Sequence, residues 1–117
     1  MLLMPDNSNL DWNWWMEEVL SLAQTDRIAA MAMATYLLPK TEALYGAVSK
    51  ETMIICHQLG ILAMLTEKYN EAESYLLKAM ELRESLSEFD VNELSDIAKH
   101  LTLLYEAKAR TVNEKMI

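Results

Sequence analysis

The sequence predicts an all-α protein, and three observations carry that prediction. Only two glycines and two prolines occur in 117 residues, too few for the turns of a hairpin-rich β fold. Ala, Leu, Met, Glu and Lys dominate, the residues that lose least on entering a helix. Apolar residues also recur at three-and-four spacing along successive segments, which puts them on one side of a helix. At 52% hydrophobic, the chain has the material for one compact domain. A length of this order buries roughly 60 to 70% of the surface the unfolded chain exposes.

Residues 1–10 lack periodicity, hold Pro5 and an Asn-Ser-Asn cluster, and read as a tail; the helical domain follows over residues 11–110. The first helix is expected from Trp12 to Gln24. Asp11 caps it by accepting a bond from a free backbone amide, and Leu10 and Trp15 pack across the cap as a hydrophobic staple. All three tryptophans fall at its start, but helical spacing divides them. Trp12 and Trp15 share the core side with Met16, Val19, Leu22 and Ala23, whereas Trp14 joins Glu17, Glu18 and Ser21 on the other.

Thr25-Asp26 reads as a turn and cap. The second helix starts at Arg27 and is apolar on nearly every face, so it is expected to be buried between neighbours, with Met31 and Met33 in the core. Pro39 is expected to kink it, and Gly46 to end it. Ser49 caps a third helix, Lys50 to Glu67, with a buried stripe of Cys56, Leu59, Gly60 and Ala63. The fourth, Tyr69 to Ser87, turns Ala72, Leu76, Ala79 and Leu82 inward and Glu71, Glu73, Lys78, Glu81 and Glu84 outward. Asp90 or Asn92 starts the fifth, which reaches Arg110 and buries Leu94, Ile97, Ala98, Leu101, Leu104 and Tyr105. Residues 111–117 form a tail or a short helical continuation. Short connections make consecutive helices antiparallel neighbours.

Cys56-x-x-Leu59-Gly60-x-x-Ala63 followed by Tyr69-x-x-Ala72-x-x-x-Leu76-x-x-Ala79 resembles the tetratricopeptide repeat, with the Leu-Gly pair and both alanines in register. Cys56 stands where the pattern has Trp and Ala63 where it has Tyr. Glu84 replaces the terminal proline, so the hairpin's second helix can run on. That longer helix and the string Ala79-Met80-Glu81-Leu82-Arg83-Glu84 resemble the 42-residue repeat of kinesin light chains. Leu59 to Leu101 spans 42 positions, and the same step takes Cys56 to Ala98, Gly60 to Thr102 and Ala63 to Tyr105. The resemblance implies antiparallel helical hairpins stacked as a short right-handed solenoid of about five helices. The fifth helix opens a further repeat. The earliest repeat is divergent, because only a two-residue shift puts Met16, Val19, Leu20 and Ala23 on the motif positions.

In such arrays the first helices of successive hairpins line a concave face that holds a peptide. Carried over by residue, the resemblance puts Ile54, His57, Gln58, Ile61, Met64 and Leu65 of the third helix there. From the fifth it adds Asp96, Lys99, His100, Leu103 and Glu106, and from the shifted first helix Trp14, Glu17, Glu18 and Ser21. A tryptophan beside two carboxylates suits an apolar anchor with a Lys or Arg nearby. The alternative for Trp14 is packing under Leu2, Leu3 or Met4. The expected function is a non-enzymatic scaffold that binds a protein or peptide carrying basic and apolar residues. The second reading is a dedicated acidic chaperone or an immunity or inhibitor protein that masks one partner. A fifth helix with no successor leaves homo-oligomerisation open.

Ten basic and eighteen acidic side chains give a net charge of −8, which repels phosphate backbones and argues against a nucleic-acid ligand. The start has no positive region and an apolar run too short for a signal peptide or a membrane span. One cysteine permits no internal disulfide, so a cytoplasmic address is expected. Cys56 and His57 are adjacent on a helix and point about 100° apart, which denies them a shared proton. No phosphate loop, nucleophile elbow or paired Glu-x-x-His occurs, so no catalytic site and no cofactor are expected. His57 and His100 fall on nearly equivalent faces, yet no further His or Cys lies at ligand spacing; two polar groove residues are expected rather than a metal site.

Overall fold

The computed structural model describes residues 11–86 and 91–116. They form five helices and no strand: α1 (Trp12–Thr25), α2 (Arg27–Tyr45), α3 (Lys50–Leu65), α4 (Tyr69–Ser85) and α5 (Val91–Met116). Each start and stop has a local cause. Asp11 accepts from the Trp14 amide, Asp26 from the Ala29 amide and Ser49 from the Thr52 amide, so three helices open on a side-chain cap. Gly46 ends α2 with φ at 100°, a conformation that needs the missing Cβ.

The turn from α3 to α4 is fixed by two backbone hydrogen bonds. The Lys68 amide donates to the Ala63 carbonyl at 2.8 Å and the Glu67 amide to the Met64 carbonyl at 3.1 Å. That bond pattern is a Schellman motif, and it places Glu67 in the left-handed region with φ at 63°. The chain therefore leaves α3 two residues before the expected Glu67, because three residues are spent reversing it. At the other end of the molecule, α5 runs on through residues 111–116. The Leu10 half of the expected staple and the Asp90 cap lie outside the described residues.

Contacts between named residues give the directions. Trp12 at the start of α1 meets Tyr45 at the end of α2, and Met31 of α2 approaches Thr66 just past α3. Lys108 late in α5 reaches Asn70 and Glu73 early in α4, while Arg83 late in α4 pairs with Glu93 early in α5. Consecutive helices are therefore antiparallel. Lys50–Glu93 and His57–His100 both join α3 to α5, each across 43 positions, so those two run parallel and side by side. The most extensive packing is α3 on α4, and no comparable contact joins α1 to α3.

The core runs through all five helices. Val19, Leu37, Ile55, Leu59, Leu62, Leu76, Ile97 and Leu104 are fully enclosed, and Ala30, Ala34, Ala63, Ala72 and Ala79 let backbones approach between them. The expected stripes of α3 and α4 are buried as read, and on α1 Trp15, Met16 and Val19 are buried while Trp12, Leu22 and Ala23 are half-buried at its edge. Two expectations need correction. The second helix is not enclosed on every face: Ile28 is 64% exposed, and Tyr36 and Leu44 also face solvent, because only α1 and α3 pack on it extensively. Tyr105 leaves the buried stripe of α5 and stands exposed, its hydroxyl hydrogen-bonded to the Glu73 carboxylate. Pro39 sits inside α2 without ending it. The carbonyl it deprives of a partner, that of Thr35, lies on the exposed side, where water can replace the lost amide.

Candidate functional site

The residues assigned to the groove divide into two groups. On α3, Ile54, His57, Gln58, Ile61 and Met64 are all half-buried, and Leu65 is exposed at the end of the row. On α5, His100 is half-buried while Asp96, Lys99, Leu103 and Glu106 are exposed. Since α3 and α5 lie parallel, these two rows form one continuous strip. Its centre is the histidine pair. His57 Nε2 lies 3.0 Å from His100 Nδ1, with the rings nearly perpendicular and their centroids 4.9 Å apart.

The protonation of this pair follows from its surroundings. Burial first, and then the neighbouring His100, pull the His57 pKa down to about 4; Asp96 opposes them weakly. His57 is therefore neutral at pH 7. The same His100 Nδ1 stands 2.9 Å from the Asp96 carbonyl one turn back, an acceptor, which assigns the proton to His100 Nδ1 and the lone pair to His57 Nε2. Beside His57, the Cys56 thiol is fully buried, and burial pushes its pKa up to about 11. A protonated, enclosed thiol has neither the charge nor the access of a nucleophile.

The α1 residues are a separate group. Trp14 is 37% exposed and stands edge-on to Trp15 at 5.4 Å, and Glu17 and Ser21 are exposed beside half-buried Glu18. With no extensive contact between α1 and α3, this group does not join the α3–α5 strip through direct packing. Trp15 is core, at 2% exposure, and tilts against Tyr36; Trp12 is half-buried against Tyr45. The indole nitrogens of both are buried without a hydrogen-bond partner among the described residues.

One feature escaped the sequence reading. The outer side of α2 carries an open depression of about 430 Å³ lined by Tyr36, Pro39, Lys40, Ala43 and Leu44, with the Lys40 ammonium 4.8 Å above the Tyr36 ring. A run that is apolar all round is normally covered all round. The signal that could have shown otherwise is the i to i+4 pair of Tyr36 and Lys40 beside Pro39, a polar and helix-breaking set unsuited to a helix–helix contact.

No family model, curated protein or solved structure matches this chain. Among the described residues, no helix is long and apolar enough to cross a membrane, and no three His, Cys, Asp or Glu side chains converge as a metal-binding group.

Proposed function

We propose that this protein is a short helical-repeat scaffold of tetratricopeptide type, a stack of hairpins in a right-handed solenoid, that binds a protein segment along the α3–α5 strip. The observation that carries the reading is the parallel pairing of α3 and α5 at an offset of 43 positions, close to the step at which the sequence motif recurs. Such a pairing aligns Ile54, Ile61 and Met64 with Lys99 and Leu103 as one apolar surface with polar edges. Asp96 and Glu106 border it, and the net charge of −8 adds a long-range attraction for a basic partner. The segment that fits is apolar at its anchor and carries Lys or Arg beside it. Met64, flexible and polarizable, suits a surface that accepts more than one side-chain shape. Trp14, Glu17 and Glu18 extend the surface only for a ligand long enough to pass from α1 to α3.

The test is capture of binding segments from a peptide library by the wild type and by Leu103→Glu and Ile61→Glu. Both charges fall on the strip, and neither residue is in the enclosed core. Loss of selected ligands in these variants, with helicity retained, supports the reading; equal binding by all three proteins overturns it. The exposed apolar residues of α2 favour a second reading, in which the chain is a dedicated chaperone or inhibitor with one partner seated outside the strip. In that case Tyr36→Glu, and not Leu103→Glu, abolishes capture.

A further inference from the structure

The geometry points to a divalent-metal site at the α3–α5 junction, a bis-imidazole chelate in which His57 Nε2 and His100 Nδ1 hold one borderline ion such as Zn²⁺. Two nitrogens each about 2.0 Å from a tetrahedral zinc stand about 3.3 Å from one another. Here they stand 3.0 Å apart, on different helices, with both rings directed at the space between them. The rings need to part by only a few tenths of an ångström to admit the ion. Both helices pack on α4, which holds the two imidazoles on neighbouring elements of one hairpin stack.

In the metal-free protein the His57 Nε2 lone pair faces the proton on His100 Nδ1, and the ion would take the place of that proton between the two nitrogens. His100 must move its proton from Nδ1 to Nε2, giving up the bond to the Asp96 carbonyl that lies 2.9 Å away. That carbonyl oxygen then remains as a lone-pair donor near the cation. The sequence alone argued against a metal because it shows no third ligand at a recognisable spacing. Among the described residues no three-residue group of His, Cys, Asp or Glu side chains forms. Two side chains therefore make an open site, with its other positions left to water or to a donor brought by a bound partner. Affinity for the free ion is accordingly modest, and a partner carrying its own His or Cys would tighten it.

The site lies at the centre of the proposed binding strip, but its test is independent of that reading because it needs no peptide. Metal-free full-length protein is titrated with Zn²⁺ while heat capacity and thermal unfolding are followed. One ion per chain and a Zn²⁺-dependent rise in the unfolding midpoint are expected. His57→Ala and His100→Ala should each weaken binding by more than about tenfold, the loss that even an outer-shell partner costs a metal site. Nitrogen-15 spectra of the wild-type imidazoles guard against misfolding of the variants: Zn²⁺ should move His57 Nε2 and His100 Nδ1 together. Unmoved nitrogens, or binding indifferent to both substitutions, would overturn the site.

Discussion

Gly60 and Leu76 lie so close that a Cβ on the glycine would stand 2.5 Å from Leu76 Cδ2 and 3.3 Å from the Leu76 amide nitrogen. The hairpin of α3 and α4 is thus closed on a hydrogen atom. Leu76 is wholly buried and has little room to withdraw. Gly60→Ala gains about 1 kcal/mol of helix propensity. It meets an overpacking penalty of about 1–3 kcal/mol. A net loss of stability in urea unfolding is the expected outcome, larger for Gly60→Val, and a stabilised Gly60→Ala would refute the close packing.

Arg83 is 2% exposed, and its Nη1 donates to Glu93 Oε2 at 3.0 Å, while Nε and Nη2 are buried without a hydrogen-bond partner among the described residues. Removing the carboxylate leaves a buried cation uncompensated, whereas removing the cation leaves Glu93 partly exposed and still within 4.0 Å of Lys50. Glu93→Gln should therefore lose about 2–4 kcal/mol, and Arg83→Met distinctly less. Chemical unfolding of both variants checks the order, and the reverse order counts against the pairing.

Glu67 holds a left-handed backbone conformation at the C-terminal end of α3. A side chain with a Cβ costs roughly 1–2 kcal/mol there, part of which glycine returns through its freer unfolded state. Glu67→Gly should raise the stability of the protein by about 0.5–1 kcal/mol, read from the denaturation midpoint.

His57 makes stability depend on pH in the metal-free protein. Its pKa is about 4 in the folded chain against 6.5 for the free side chain, so between those values the unfolded chain binds the extra proton. Stability from this group is full above pH 6.5, falls as the pH is lowered through that window, and changes no further below about 4. Because the ring is only half-buried and solvent screens it, the loss is on the order of 1–2 kcal/mol. His57→Gln should flatten the corresponding part of the pH profile, measured as the difference between the two proteins with a chelator present.

The caps, the core stripes of α3 and α4, most of that of α1 and the division of the tryptophans follow from local rules, because capping and period-3.6 patterning act within one or two turns. What the sequence did not yield are properties of three bodies. Whether α2 is covered depends on where α1 and α3 leave it, and its Ile28 and Tyr36 look like core residues until that is known. Tyr105 lies on the apolar stripe by spacing, yet its hydroxyl finds Glu73 on α4 and draws the ring outward. The histidine contact was visible only as two similar faces, since the 3.0 Å separation is set by the docking of α3 beside α5. For the same reason Trp14 could be assigned a side of its helix but not a neighbour on another.

Nearly every extensive contact in the molecule joins a helix to the next one along the chain. Such a protein closes no long loop to fold, and its most extensive contact, α3 on α4, is made across a turn of three residues. Once that hairpin exists, each flanking helix can add to a surface already formed, outward in both directions. Folding should therefore be rapid, and unfolding should begin at α1 or α5, with the α3–α4 amides the last to exchange with solvent.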